Sequence, residues 1–257
     1  MMTPSTATTT PGTLRGHADT ALPRVVSAED WHEARDELLI AEKAHTRAGD
    51  AVAAQRRRLP MTEVDATLGA TGPDGPTSLL DMFQGRRQLI VYHHMLKPDD
   101  EHPCPGCSAF TDHVPHLAHL NVADVTFAME AAAPLDQFQA YMDRMGRPDI
   151  PVYSSANGRF RDELHPSPHG TGSFGLSVFL RDGTRVYRTY ATQGRGVDGV
   201  PLIDLTPYGR QESFEDSPEG WPQRKIYSFG KVHDEYTADE LAGLAAPSTT
   251  GEVYRGD

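Results

Sequence analysis

The chain has 257 residues and a formal net charge of −12, with 24 Lys and Arg against 36 Asp and Glu. This acidic balance disfavours a protein that binds nucleic-acid phosphates, because counterion release needs a basic footprint. No apolar stretch approaches the roughly 20 residues that a membrane-spanning helix needs. We therefore expect neither nucleic acid nor a membrane as a partner.

The N-terminal part of the sequence divides into two segments. Residues 1–22 are rich in Thr, Ala and Pro and contain no apolar signal-peptide core, which predicts a disordered leader and a cytoplasmic protein. Residues 23–60 predict a helical segment, since Ser27 is a good N-cap and apolar residues recur at helical spacing until Pro60. We expect one long helix, either continuous or broken near Gly49.

Residues 61–236 predict one domain in which strands and helices alternate. Residues 193–236 contain few periodic features and predict loops and short helix, and residues 237–257 predict a flexible acidic tail. The first predicted elements of the body are a strand at 61–66, a turn at 71–78, a short helix closed by Gly85 and a buried strand at 86–94. A helix opened by the cysteines follows, then a strand at 124–130, a helix ending at Gly146 and a strand at 149–155. After a polar loop, two strands within 176–191 are joined at Asp182 and Gly183.

Both cysteines of the chain lie in the motif C-P-G-C, at Cys104 and Cys107, directly after the buried strand. A C-x-x-C motif between a strand and a helix of a β-α-β pattern is the signature of a thioredoxin-like redox protein. The predicted fold class is therefore α/β, a thioredoxin-like fold with a long N-terminal helix and a loop-rich C-terminal extension.

The spacing of the two cysteines favours redox chemistry. Cys104 at a helix N-terminus is expected to have a lowered pKa and to act as the nucleophile, with Cys107 one turn later as the resolving thiol. The acidic residues 99–101 oppose this effect if they lie close in space. The leading hypothesis is a thiol–disulfide oxidoreductase that needs no cofactor and acts on a small-molecule or protein thiol or disulfide.

Two other hypotheses stay open. Cys104 and Cys107 with His94 or His102 form a ligand set that suits copper or zinc. His93 and His94 are adjacent on a strand and point to opposite faces, so they cannot both bind one ion. The third hypothesis is a non-catalytic binding scaffold, and a homo-oligomer is compatible with all three.

The sequence resembles an uncharacterised bacterial family of thioredoxin-like proteins, a domain of unknown function, from about residue 24 to residue 236. The shared motifs are Y-H-x-M, C-P-G-C, D-L-T-P-x-G-R-Q-E and H-D-E-Y. The resemblance implies a thioredoxin fold and no particular activity. Redoxins usually carry a cis-proline where this chain has Leu176 and Ser177, and peroxiredoxins carry Thr where it has Glu101, which disfavours peroxidase activity of that type.

Candidate substrate-binding residues lie in the same motifs and next to them. Arg210, Asp204, His233 and Asp234 match the family pattern, either as the lining of a pocket against the cysteine helix or as a network that attaches the C-terminal segment to the body. The full set of candidates for substrate binding is Tyr92, His93, Arg195, Arg210 and His233.

Overall fold

The computed structural model describes residues 22–101, 103–156, 159–165 and 174–193, together with Glu219, Asp234 and Thr237. The helices are α1 (Ala28–Arg56), α2 (Pro105–His113), α3 (Leu117–Asn121), α4 (Leu135–Arg144) and α5 (Phe160–Leu164). The strands are β1 (Thr62–Val64), β2 (Gly69–Gly72), β3 (Gly75–Ser78), β4 (Gln88–His93), β5 (Val125–Ala131), β6 (Val152–Ser154), β7 (Gly175–Asp182) and β8 (Arg185–Gln193).

Helix α1 begins where its N-cap predicts. The Ser27 hydroxyl accepts a hydrogen bond from the Asp30 N–H at 3.1 Å, and the helix continues through Gly49 without a break. None of its residues is buried, and Trp31 and Leu38 are both more than half exposed. Helical spacing thus predicted the helix correctly, but the structure buries none of its apolar residues. In the described part of the chain, no helix combines the length and apolarity needed to cross a membrane.

The strands that the structure describes form one eight-stranded sheet, in the order β1-β8-β7-β4-β5-β6-β2-β3. Strand β4 is central, parallel to β5 on one side and antiparallel to β7 on the other. Strand β6 continues the parallel half, and β8 forms a hairpin with β7. With α2 following β4 and α4 following β5, this is the thioredoxin-like α/β fold that the sequence predicts.

The period-two alternation of β4 produces a core on each face of the sheet. Leu89 and Val91 pack into one core with Phe83 and Phe179. Ile90 and Tyr92 belong to the other core, which also contains Cys107. The sheet therefore separates residues that are neighbours in the sequence, and the two cysteines lie on the Tyr92 face.

The observed elements differ from the predicted ones in four places. The predicted turn at 71–78 is the hairpin β2–β3, which joins the sheet through a Thr71–Ser154 pair. The short helix before Gly85 is a single 3-10 turn at Asp81–Phe83, and α5 lies within the predicted polar loop. The β7–β8 turn consists of Gly183, at φ +60, and Thr184, one residue beyond the predicted position. The high Gly and Pro content of the sequence predicted where the chain turns, but it did not indicate which flanking residues pair as strands.

Candidate redox site

The two cysteines lie at the N-terminus of α2, on the loop that leaves β4. Cys104 is the N-cap residue and Pro105 takes the first helical position, where its missing N–H has no helical partner to lose. Both thiols are free, and Cys104 is half-buried whereas Cys107 is fully buried. A reactant from solvent therefore meets Cys104 first.

The surroundings of the two thiols give them opposite acidities. A hydrogen bond from the Cys107 thiol, together with the backbone N–H groups of Cys107 and Gly106, lowers the pKa of Cys104 to about 7, although burial opposes this. Asp100 raises that pKa, so one residue of the acidic loop acts as the sequence suggests. Burial raises the pKa of Cys107 well above its usual value. Cys104 is thus the sulfur that ionises near neutral pH.

Tyr92 packs against the helix that begins at the cysteines. Its side chain is fully buried, its ring stacks on Phe110 of α2 at a centroid distance of 4.1 Å, and it packs in the same buried cluster as Cys107. Burial and the neighbouring Cys107 sulfur raise the pKa of Tyr92, so the phenol keeps its proton. Among the predicted substrate-binding residues in the described part of the chain, Tyr92 is the one that packs in the same core as the cysteines.

His94 begins a chain of directed hydrogen bonds that ends on the peptide of Cys104. Its Nδ1 accepts from the Leu96 N–H at 3.0 Å, so the ring proton is on Nε2, 3.3 Å from the Tyr141 hydroxyl. Tyr141 donates to the Ser108 hydroxyl at 2.9 Å, and Ser108 donates to the Cys104 carbonyl at 3.1 Å. His94 therefore lies on the cysteine side of the sheet, and the side chains of Tyr141 and Ser108 connect it to the peptide of Cys104.

Burial and the charge of Arg161 lower the pKa of His94 to about 3, so its ring is neutral at physiological pH. A neutral imidazole is the form that metals bind, but both nitrogens of His94 have protein partners. No group of three or more His, Cys, Asp or Glu side chains in the described ranges is arranged to hold a metal ion. His102 lies outside those ranges, so the copper or zinc hypothesis stays a prediction.

His93 lies on the opposite face of the sheet, within a buried polar cluster that sequence reasoning did not identify. Its Nδ1 is 2.7 Å from Glu130 Oε2, and its Nε2 is 2.9 Å from the Ser177 hydroxyl. Arg161 Nη1 donates to both Glu130 oxygens, at 3.1 and 3.2 Å, and to the His94 carbonyl at 3.1 Å. The one sequence signal for this cluster is the single charged residue, Glu130, in the otherwise uncharged strand β5.

The pKa values in this cluster favour an ionised Glu130. Burial opposes its ionisation, but the hydrogen bond from His93 and the charge of Arg161 lower the pKa of Glu130 to about 2. Burial lowers the pKa of His93. Ser177, at the position where redoxins usually carry proline, donates to the Leu164 carbonyl at 2.8 Å, and the described residues contain no cis peptide bond.

The other predicted site residues fall mostly outside the described ranges. These are His102, Arg195, Arg210 and His233. Asp234, from the H-D-E-Y motif, is described, and the Nε and Nη2 atoms of Arg144 on α4 donate to its carboxylate at 2.8 and 2.7 Å. This contact agrees with the network reading of that motif, in which it attaches the C-terminal segment to the body.

The fold and the cysteine pair define a thioredoxin-like protein. Residues 20–236 match the model of a family described as "Bacterial protein of unknown function (DUF899)", and the chain belongs to that family, which confirms the resemblance noted in the sequence. No match to a curated protein was found.

The solved structures that resemble this chain do so at low sequence identity. Peroxiredoxin Q of Xanthomonas campestris is 14% identical with a TM-score of 0.37, covering 51% of this chain and 87% of that one. A secreted Mycobacterium tuberculosis disulfide oxidoreductase homologous to E. coli DsbE is 17% identical with a TM-score of 0.33, covering 51% and 90%. Both are remote similarities.

Proposed function

We propose that this protein is a thiol–disulfide oxidoreductase in which Cys104 attacks the substrate and Cys107 resolves the intermediate. The observation that carries the proposal is the asymmetry between the two thiols. Cys104 is reachable and has a pKa of about 7, whereas Cys107, one helical turn away, is buried with a raised pKa. A nucleophile is most effective when its pKa lies near the ambient pH, because a stronger acid gives a weaker nucleophile.

The reaction balances with the two cysteines alone. The Cys104 thiolate attacks one sulfur of a substrate disulfide, forms a mixed disulfide and releases the other half as a thiolate. Cys107 then loses its proton and attacks the Cys104 sulfur, forming the internal disulfide and releasing the second half, which takes up that proton. The protein gives up two electrons and the substrate disulfide gains them; the reverse sequence oxidises a dithiol. The substrate is a small molecule or a protein.

A redox titration tests the proposal. Protein equilibrated in dithiothreitol buffers is alkylated and its intact mass measured, with metal content determined on the same sample. We expect a reversible two-electron transition at roughly −120 to −270 mV, the range of known oxidoreductases. With the disulfide of a monothiol as substrate, we also expect a Cys107→Ser variant to accumulate a mixed disulfide and a Cys104→Ser variant to form none.

Other outcomes separate the alternatives. Turnover that survives Cys104→Ser contradicts the proposed mechanism. Thiols that resist alkylation until a chelator is added, with stoichiometric copper or zinc, indicate the metalloprotein instead. Thiols that neither cycle nor hold metal, in variants that are stable and unchanged in binding, indicate the scaffold.

A further inference from the structure

The second half of the proposed reaction has a specific requirement at Cys107. This sulfur must become a thiolate inside a fully buried site, and burial raises its pKa. In the described residues, the groups that act on the pKa of Cys107 are the Cys104 sulfur, the Tyr92 hydroxyl and the Met95 backbone N–H, and the Tyr141 phenol faces it from α4. None of these is a cation, so hydrogen-bond donors must supply the stabilisation.

Tyr92 is the side-chain donor placed to do this. Strand β4 directs its ring onto the cysteine face, where it belongs to the same buried cluster as Cys107. The stack on Phe110 is nearly parallel, at an interplanar angle of 14°, and Phe110 lies on the same helix as Cys107. The ring and the sulfur are thereby held in a fixed relation, and the raised pKa of Tyr92 keeps the hydroxyl a donor.

We propose that the Tyr92 hydroxyl donates a hydrogen bond to the Cys107 thiolate formed during resolution, and thereby accelerates attack on the mixed disulfide. This inference rests on the proposed function and deepens it. The phenol does not lose its proton in this step, since the proton of Cys107 leaves on the second product thiol. The Cys104 attack precedes this event and does not depend on it.

An aromatic disulfide probe separates the two half-reactions. Reduced protein is mixed with 5,5′-dithiobis(2-nitrobenzoate) in a stopped-flow instrument. Attack by Cys104 releases one coloured thiolate, and resolution by Cys107 releases the second. In Tyr92→Phe, which keeps the ring but lacks the hydroxyl, we expect an unchanged first phase and a second phase slowed about 10-fold, equivalent to about 1.4 kcal/mol. The pH midpoint of the second phase rises as well, because the thiolate has lost a donor.

Tyr153→Phe is the matched control. Tyr153 is a buried tyrosine on β6, in the core on the other face of the sheet, with its hydroxyl 3.5 Å from the Gln84 side chain. Its loss of a hydroxyl should leave both phases unchanged. If Tyr92→Phe does not fold, Phe110→Leu keeps the hydroxyl but removes the stacked ring, and it should slow the second phase selectively.

The outcomes distinguish this inference from the proposed function. A folded Tyr92→Phe variant with a wild-type second phase overturns the role of Tyr92 while leaving the Cys104 mechanism intact. Equal slowing in Tyr92→Phe and Tyr153→Phe also overturns it, because a general packing effect then explains the rate. If the wild-type protein shows no first phase, the proposed function fails, and this inference fails with it.

Discussion

Replacing Arg161 by Met tests whether the buried cluster around Glu130 holds the end of β4 in place. The change removes the cation that contacts both oxygens of Glu130 and leaves that carboxylate fully buried. Breaking a buried ion pair from one side typically costs about 3–5 kcal/mol. Arg161 is one of the groups that lower the pKa of Glu130 to about 2, and the hydrogen bond from His93, which also lowers it, stays in the variant.

Arg185→Met is the matched control for this experiment. Arg185 also donates two hydrogen bonds to one carboxylate, that of Glu63, at 2.9 and 2.7 Å, but both side chains are more than half exposed. Water screens such a pair, and its loss is expected to cost far less than the loss of the buried pair. The double variant Arg161→Met, Glu130→Leu should recover much of the loss, since no unpaired charge is then left buried.

Urea unfolding at pH 7, followed by far-UV circular dichroism, measures the free energies of unfolding. Equal losses for Arg161→Met and Arg185→Met would refute the argument from burial. A pH series of the wild-type protein gives a second check. The lowered pKa of Glu130 contributes stability that is complete above pH 4.5 and is lost as pH falls towards 2.

His94 adds to the same acid sensitivity. Its pKa of about 3 lies below the usual 6.5, so between these values the unfolded chain binds a proton that the buried ring does not. The free energy of unfolding should therefore already decline as pH falls below 6.5. A constant stability between pH 7 and pH 4.5 would contradict the lowered pKa of His94, and a constant stability between pH 4.5 and pH 2 would contradict that of Glu130.

Two further substitutions test local features of the structure. Tyr141→Phe interrupts the hydrogen-bond chain between His94 and Ser108, and the unsatisfied buried groups should cost about 1–3 kcal/mol in urea unfolding; an unchanged midpoint would show that the chain contributes nothing. Gly146→Ala places a side chain at φ +65 and should cost about 1 kcal/mol, whereas Gly49→Ala, in open space on α1, should raise helical ellipticity. We therefore expect Gly146→Ala to destabilise the protein and Gly49→Ala to stabilise its helix. Equal effects of the two substitutions would contradict this expectation.

Much of the cysteine site could be predicted because it depends on local chemistry. Pro105 after Cys104 predicted a helix start, and the apolar run before the histidines predicted the buried strand β4. Strand alternation also placed His93 and His94 on opposite faces, as the structure has them. Each of these inferences needs only residues that are close together in the sequence.

The partners of those residues could not be predicted in the same way. His93 contacts Glu130 37 residues away, and Arg161 contacts Glu130 across 31 residues. Contacts of this kind depend on the pairing register of β4, β5 and β7, and a slip of one residue would turn every side chain to the other face. Apolar residues recur at helical spacing along α1, but none of them is buried in the structure.

The sequence by itself determined the family, the two thiols and the helix start at Cys104, because capping and spacing act within a few residues. The tertiary structure decided which side chains surround those thiols. Tyr92 against Cys107, and Tyr141 between His94 and Ser108, come together only when α2 and α4 pack on one face of the sheet. Burial there sets the pKa of each group, and burial is a property of the packed fold.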